Sequence, residues 1–244
     1  MPERNSIAAY RDAPNNRVRQ WLLTIAAQLG ELTEHITIVG GLVPSLLIDA
    51  EAQQIEPHVG TFDVDLGVAV AVHGPSHYQA MTVRLAELGF RQLSANSIRW
   101  TQASPSELPI DIDLLPVGLG TEQQVIPDLR AKITLPLELA FRDRVSVRLQ
   151  GPDIVGQNVA VSVGVCGPGA FIAIKANTYD DRHLKKDAYD LYYMLHHYGH
   201  STQDVIRHFR PLLQHPQAKR AFKVLSDDFS FDDAEGCRDV ALFL

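Results

Sequence analysis

Two pairs of aspartates, each pair separated by one apolar residue, are the feature of this sequence that points most directly to chemistry. Asp63 and Asp65 lie in one run that predicts a β-strand, and Asp111 and Asp113 lie in another. Residues two apart on a strand point to the same face, so each pair sets two carboxylates side by side. Two like charges that close are costly unless a cation lies between them. If the strands are neighbours, we expect three or four carboxylates to converge on a site for hard divalent cations such as Mg²⁺.

A pair of glycines upstream is a second candidate element of this site. Gly40 and Gly41 follow the β-branched segment 35–39 and precede the apolar stretch 42–50, an order typical of strand, tight turn and helix. Backbone N–H groups and the positive end of a helix dipole at such a turn can hold a phosphate. The alternatives are a plain turn here and, for the aspartates, the solvent-facing side of an amphipathic strand.

The second half of the chain carries a cluster of charged residues at helical spacing. Arg182, Lys186 and Asp190 are four residues apart, so on one helix they share a face, and Asp187 lies near them. An exposed ladder of ion pairs would explain this spacing. Lys175, however, lies in an otherwise apolar stretch, which favours a buried or cleft-facing role for its ammonium group.

Three segments taken together resemble the signatures of the nucleotidyltransferase superfamily that includes DNA polymerase beta. They are Val39-Gly40-Gly41, the run 61–66 around the first aspartate pair, and the run 112–115 around Asp113. The resemblance implies that two Mg²⁺ ions are bound by Asp63, Asp65 and Asp113. It also implies that a nucleoside triphosphate is held by Gly40 and Gly41, with Ser45 one helical turn further on. Asp111 competes with Asp113 for the third place, although the apolar Leu114-Leu115 that follows suits Asp113 better.

The charged helical segment resembles the C-terminal signature of the AbiEii/AbiGii-type nucleotidyltransferases, which include toxins of type IV toxin–antitoxin systems. The resemblance implies that Lys175 contacts the triphosphate and that Asp187 shapes or activates the site. Lys186 and Asp190 are the other matching positions, assigned to nucleotide binding. One departure is at His58, because many members of this group carry an arginine shortly before the strand of the first aspartates.

These resemblances imply an enzyme that moves a nucleoside monophosphate from an NTP to an acceptor and releases pyrophosphate. Asp113 would also help to deprotonate the acceptor. An RNA end, as of a tRNA, is the favoured acceptor, and an antitoxin protein is the expected partner if the chain is a toxin. The alternatives are transfer to a small molecule, as in aminoglycoside nucleotidyltransferases, a catalytically silent nucleotide- or partner-binding module, and a structural scaffold whose aspartates lie at the surface.

The elements that must position these residues divide the chain into an α/β part, 1–165, and a helical part, 166–244. We predict a small mixed sheet flanked by helices, in the nucleotidyltransferase fold, followed by helices that close over the nucleotide. The predicted helices are 18–32, 42–50, 76–88, 170–178, 182–197, 202–213 and 217–225, with a short one at the end. The predicted strands are 35–39, 61–70, 97–102, 109–115, 145–149 and 159–163.

The composition of the chain argues against several classes of protein. A net charge of −7 over 244 residues argues against coating nucleic acid through bulk charge. The two cysteines form no recognisable disulfide framework, which suggests a reducing compartment. The N-terminal residues lack the apolar core of a signal peptide, and no apolar run approaches the roughly 18 residues that span a bilayer. We therefore expect a cytoplasmic protein without a membrane segment.

Overall fold

One mixed sheet of seven strands organises the computed structural model, which describes residues 6–10, 15–68, 75–94, 97–104, 107–117 and 137–244. The strand order across the sheet is β3-β4-β5-β2-β1-β7-β6. The strands are β1 (Ile36–Val39), β2 (Asp63–Val68), β3 (Arg91–Gln92), β4 (Arg99–Ser104), β5 (Glu107–Pro116), β6 (Arg144–Pro152) and β7 (Asn158–Cys166). All six predicted strands are present, and β3 is an addition; residues 69–70 of the second predicted strand lie outside the described residues.

The two aspartate-bearing strands are direct neighbours in the middle of the sheet. β2 and β5 run parallel, with Asp63 opposite Asp111 and Asp65 opposite Asp113. On the other side of β2, β1 pairs antiparallel with β2 and parallel with β7. β4 and β5 form an antiparallel pair, as do β6 and β7. The expectation that the two strands bring their carboxylates together is therefore met by their register.

Helices flank this sheet and make up the described chain after β7. They are α1 (Asn15–Leu29), α2 (Val43–Leu47), α3 (Ala50–Gln53), α4 (Pro75–Glu87), α5 (Glu138–Arg142), α6 (Pro168–Arg182), α7 (Lys185–His197), α8 (Thr202–Phe209), α9 (Pro216–Asp228) and α10 (Glu235–Phe243). The predicted class, a small mixed sheet flanked by helices with a helical C-terminal part, is confirmed. The boundary between 1–165 and 166–244 stays a prediction.

The predicted helix 42–50 is wrong as a single element. A 3-10 turn, Gly40–Leu42, leads into the five-residue α2, and Ile48 is extended. Asp49 then starts α3, because its side chain accepts a hydrogen bond from the backbone N–H of Ala52 at 3.0 Å. An aspartate at this position competes with helix continuation by capping a new helix.

The predicted helix 182–197 starts too early, so the shared face of Arg182, Lys186 and Asp190 is also wrong. Arg182 ends α6, and His183 adopts a left-handed conformation with φ of 48°. Leu184 is extended and α7 begins at Lys185. A residue in this conformation ends a helix and turns the chain, so Arg182 approaches α7 from the preceding helix.

One face of the aspartate-bearing strands β2 and β5 belongs to the core. Val64, Leu66 and Ile112 alternate with the aspartates and are completely buried. The same alternation that turns apolar side chains into the core therefore turns the carboxylates of β2 and β5 the other way. Among the described helices, none has the length and apolar character needed to cross a membrane.

Candidate functional site

Three carboxylates converge where β2 and β5 lie side by side. Asp63, Asp65 and Asp113 each place an oxygen atom within 4.8 Å of the others. Asp111 lies beside this group and accepts a hydrogen bond from the hydroxyl of Thr101 at 2.7 Å. The structure thus favours Asp113 over Asp111 as the third member of the cluster.

An arginine that the sequence analysis missed lies on this cluster. Arg99 on β4 donates from Nε and Nη2 to the two oxygens of Asp113, at 2.8 and 2.7 Å. Its Nη2 also lies 3.4 Å from Oδ2 of Asp63. Arg99 stands opposite Asp113 in the antiparallel register of β4 and β5. The signal that could have found it was the proximity of the two predicted strands along the chain, since neighbouring strands tend to pair.

The electrostatics of the cluster fit a divalent cation. Burial, followed by the charges of Asp63 and Asp113, raises the pKa of Asp65 to about 8. Within the described parts of the chain, no side-chain hydrogen bond relieves the Asp65 carboxylate. Three converging carboxylate oxygens are the donor set that Mg²⁺ prefers, and an ion between them would remove their repulsion. Asp63, Asp65 and Asp113 are therefore the residues that could hold a metal.

The turn after β1 passes so close to β2 that only glycine fits at positions 40 and 41. Gly40 has φ of 73°, and a Cβ atom there would lie 1.9 Å from Oδ2 of Asp65. A Cβ atom on Gly41 would lie 3.1 Å from Cβ of Thr61, whose hydroxyl donates to Asp63 at 2.7 Å. The glycines thus allow the backbone to approach the carboxylates, which a larger residue would displace.

Replacing Gly40 by alanine is expected to displace Asp65 and to weaken Mn²⁺ binding at the carboxylate cluster by at least about tenfold. The matched control is Gly89→Ala, because Gly89 has φ of 85° but a Cβ atom there meets no described atom within 4 Å. Both variants carry the strain of a left-handed alanine, and only the first collides with a carboxylate. Equal Mn²⁺ affinities in the two variants, measured by titration, would contradict the expected effect.

A second cluster of charges lies on α6 and α7. Nζ of Lys175 is 2.8 Å from Oδ1 of Asp187 and 2.8 Å from Oδ2 of Asp190. Arg182 donates to both oxygens of Asp187 at 2.6 and 2.9 Å, and Lys186 pairs with Asp190. Burial alone would lower the pKa of Lys175, but the two carboxylates outweigh it and raise that pKa. The predicted cleft-facing lysine is thus a buried, charged group.

His58 connects this cluster to the loop before β2. Its Nδ1 accepts a hydrogen bond from the backbone N–H of Gly60 at 3.1 Å, so Nε2 carries the proton and donates to Asp190 at 2.8 Å. Both side chains are fully buried. Burial, followed by the charge of Lys186, lowers the pKa of His58 to about 4. A neutral histidine therefore lies shortly before the strand of the first aspartates.

The pKa of His58 makes stability depend on pH in a defined direction. Below pH 6.5 the unfolded chain binds a proton at this histidine and the folded chain does not, so stability falls as the pH falls towards 4. Between pH 7.5 and 5 we expect His58 to account for a loss of about 2 kcal/mol. The measurement is urea unfolding at both pH values. Over the same pH range, the free energy of unfolding of a His58→Gln variant should fall by about 2 kcal/mol less than that of the wild type. Equal losses in the two proteins would show that the pKa of His58 is not lowered by folding.

A cavity of about 350 Å³ brings the two clusters together. Its described lining includes most of the predicted site residues: Gly41, Asp63, Asp65, Asp113, Lys175, Lys186, Asp187 and Asp190. Gly40 lies behind Asp65, whereas Ser45 is exposed and lines a different cavity of about 500 Å³. The structure therefore brings the predicted residues together with the exception of Ser45, and their catalytic roles stay predictions.

The cavity also has lining residues that the sequence analysis did not select. Arg99 and Thr61 belong to the carboxylate side, while Tyr10, Phe62 and Leu184 add apolar surface. Tyr10 comes from a 3-10 turn, Ile7–Tyr10, that is more than 50 positions from the aspartates along the chain. No local pattern in the sequence marks such a distant contribution.

No protein-family model matches the chain, and no curated protein matches it. Among solved structures, the chain is similar to the antibiotic-resistance factor ANT(2'')-Ia, whose solution structure is reported to reveal substrate-regulated conformation dynamics. The sequences are 11% identical, the TM-score is 0.37, and the likeness covers 84% of this chain and 89% of that chain. A likeness this distant does not assign a function.

Proposed function

We propose that the protein is a metal-dependent nucleotidyltransferase. The observation that carries this proposal is one cavity that is lined by three converging carboxylates and by a partly buried group of cations, Lys175, Arg182 and Lys186. The carboxylates fit divalent cations, and the cations fit a polyphosphate. Bound Mg²⁺ would supply Lewis-acid activation of the attacking hydroxyl and of the leaving pyrophosphate.

The side chains of this cavity have different roles in such a transfer. Asp63, Asp65 and Asp113 would hold the metal ions, and Asp113 would accept the proton of the acceptor hydroxyl. The hydroxyl oxygen bonds to the α-phosphorus as the bond to the β-phosphate oxygen breaks, and pyrophosphate leaves. This division follows the family that the sequence resembles and agrees with the position of each side chain in the cavity.

Lys175 has a donor to spare for the triphosphate. An ammonium group carries three N–H bonds: one donates to Asp187 at 2.8 Å, and a second is available to Asp190, whose Oδ2 lies 2.8 Å from Nζ. The third can meet a phosphate oxygen, since Lys175 lines the cavity with 10% of its side chain exposed. Lys186 and Arg182, which pair with the same two aspartates, add positive charge beside it. Asp187 and Asp190 thus orient the cations that bind the leaving group.

We propose an RNA end, such as that of a tRNA, as the acceptor, and a toxin of a toxin–antitoxin pair as the biological role. Resemblance of the segment 171–191 to the AbiEii/AbiGii-type enzymes supports both. An antitoxin partner and a cytoplasmic location belong to the same proposal. Transfer to a small molecule is the competing outcome of the test.

The test is transfer of label from each α-labelled NTP, with Mg²⁺, to total RNA, purified tRNA and a panel of small-molecule acceptors. Asp63→Asn serves as the inactive variant. Asp111→Asn is the matched control, because Asp111 lies on the same sheet face but outside the convergent cluster. We expect label on RNA with the wild type and with Asp111→Asn, and none with Asp63→Asn.

The other results discriminate between the alternatives. Label on a small molecule, lost in Asp63→Asn, would retain the nucleotidyltransferase and replace RNA as its acceptor. Mg²⁺-dependent NTP binding without transfer to any acceptor would indicate a silent nucleotide-binding module. Absence of NTP binding in the wild type would refute the proposal.

A further inference from the structure

The cavity has one apolar side in a largely charged lining. Tyr10, Phe62 and Leu184 form this side, and the ring centroids of Tyr10 and Phe62 are 5.6 Å apart with an interplanar angle of 52°. Charged groups suffice to hold an inorganic polyphosphate. Aromatic surface next to them is suited to a ligand that joins a polyphosphate to an aromatic ring.

Tyr10 is held in place by contacts from the helical part of the chain. Its ring centroid lies 5.8 Å from that of Phe243 on α10. Nζ of Lys186 lies 5.3 Å from the same ring and 5.7 Å from the ring of Tyr189. Tyr10 therefore adjoins a lysine of the proposed phosphate-binding cluster, at the distance of a cation–π contact. Aromatic and phosphate-binding groups are neighbours within one cavity.

We propose that Tyr10 and Phe62 form the base subsite, where the nucleobase of the NTP is held by stacking. This inference rests on the proposed function, because it takes the cavity to bind a nucleoside triphosphate. Stacking of a base on an aromatic side chain strengthens binding by roughly tenfold. The base subsite thus distinguishes an NTP from a bare polyphosphate.

The composition of the cavity also sets which bases this subsite accepts. The described lining of the cavity holds no asparagine or glutamine, and its side chains Thr61, Arg99 and Arg182, which could also read a base edge, donate to Asp63, Asp113 and Asp187. Stacking is sequence-tolerant because every base has an aromatic face. All four NTPs should therefore bind, with purine nucleotides favoured over pyrimidine nucleotides by their larger stacking area.

The experiment compares Mg²⁺-dependent binding of ATP and of inorganic tripolyphosphate by isothermal titration, without an acceptor. The variants are Tyr10→Leu, which keeps an apolar side chain against Phe243 but removes the aromatic ring, and Tyr10→Phe, which keeps the ring. We expect Tyr10→Leu to weaken ATP binding about tenfold and to leave tripolyphosphate binding unchanged. Tyr10→Phe should bind both ligands as the wild type does. A thermal melt of each variant shows whether it is folded.

A second readout reports stacking directly. In a Tyr10→Trp variant, ATP should quench the fluorescence of the added tryptophan, and tripolyphosphate should not. The wild type gives the background fluorescence of Trp21 and Trp100, which are both buried.

Equal weakening of ATP and tripolyphosphate binding in Tyr10→Leu would overturn the base subsite, because Tyr10 would then act through Lys186. Unchanged ATP binding in Tyr10→Leu, or one NTP bound more than tenfold tighter than the other three, would overturn it as well. If the wild type binds neither ATP nor tripolyphosphate, the proposed nucleotidyltransferase function is refuted. The results that overturn only the base subsite differ from this one, because in each of them the wild type binds ATP.

Discussion

A Lys175→Met variant is expected to unfold with a free energy about 2–3 kcal/mol lower than that of the wild type, and to lose nucleotidyl transfer. Lys175 lies between Asp187 and Asp190, and both aspartates have no exposed surface. Methionine fills a similar volume but removes the ammonium group that both carboxylates share, so Asp187 keeps only Arg182 as a cationic partner and Asp190 only Lys186. Two buried carboxylates held by fewer cations are destabilising, and this outweighs any gain from the apolar side chain. Urea unfolding at pH 7.5 measures the difference.

Two controls separate the buried ion pairs from the general effect of losing a lysine. Lys223→Met removes an exposed lysine that pairs with Asp227 one turn along α9, and should leave the free energy of unfolding essentially unchanged. Adding Asp187→Asn to Lys175→Met removes one of the two carboxylates that Lys175 contacts, and should restore part of the lost free energy of unfolding. A Lys175→Met protein as stable as the Lys223→Met protein would show that the cluster does not depend on this charge.

An Asp65→Asn variant is expected to lose transfer activity by at least about 10²–10³-fold while becoming more stable in the absence of metal. The pKa of Asp65 in the folded protein, about 8, lies above its ordinary value because of burial and the charges of Asp63 and Asp113. The folded chain therefore holds a proton here that the unfolded chain releases above pH 4, so stability falls as pH rises from 4 to 8. Asparagine removes this penalty.

The expected gain at pH 8, in the presence of a chelator, is up to about 5 kcal/mol, the free-energy equivalent of a pKa raised from 3.8 to about 8, and it should shrink towards zero near pH 4. Mg²⁺ should stabilise the wild type and have little effect on Asp65→Asn, because a bound ion stabilises the folded state that holds it. Thermal melts compare the wild type with Asp65→Asn at pH 8 and at pH 4, each with Mg²⁺ and with a chelator. A variant less stable than the wild type at pH 8 would show that the ionised Asp65 carboxylate carries no penalty in the folded protein.

The carboxylate cluster could be predicted from sequence because a strand has a period of two. Asp63 and Asp65 on one strand and Asp113 on another each follow from a local pattern, and the order of motifs along the chain made it reasonable to pair the strands. The position of Arg99 was missed because it depends on the register between β4 and β5. That register shifts between Gln102 and Ser104 in a way that no residue type announces.

The parts of the site that were missed or misplaced depend on interactions between distant segments. Tyr10 reaches the cavity by packing against Phe62 and Phe243, which lie far away along the chain. Ser45 was expected near the phosphate because it lies one helical turn after the glycines, whereas its side chain is exposed and lines another cavity. His183 was treated as an ordinary helix residue, since helical propensity alone does not mark a left-handed turn.

The alternation along β2 and β5 has a consequence for how this protein can change during evolution. Val64, Leu66 and Ile112 point into the core from the same strands that carry the aspartates. A substitution at one of these positions alters either the core or the site. Insertion or deletion of a single residue in either strand exchanges the two faces at once, so it would expose the apolar residues and bury the carboxylates. We therefore expect changes of chain length in descendants of this sequence to be confined to the connections between strands, where they leave both sets of residues in phase.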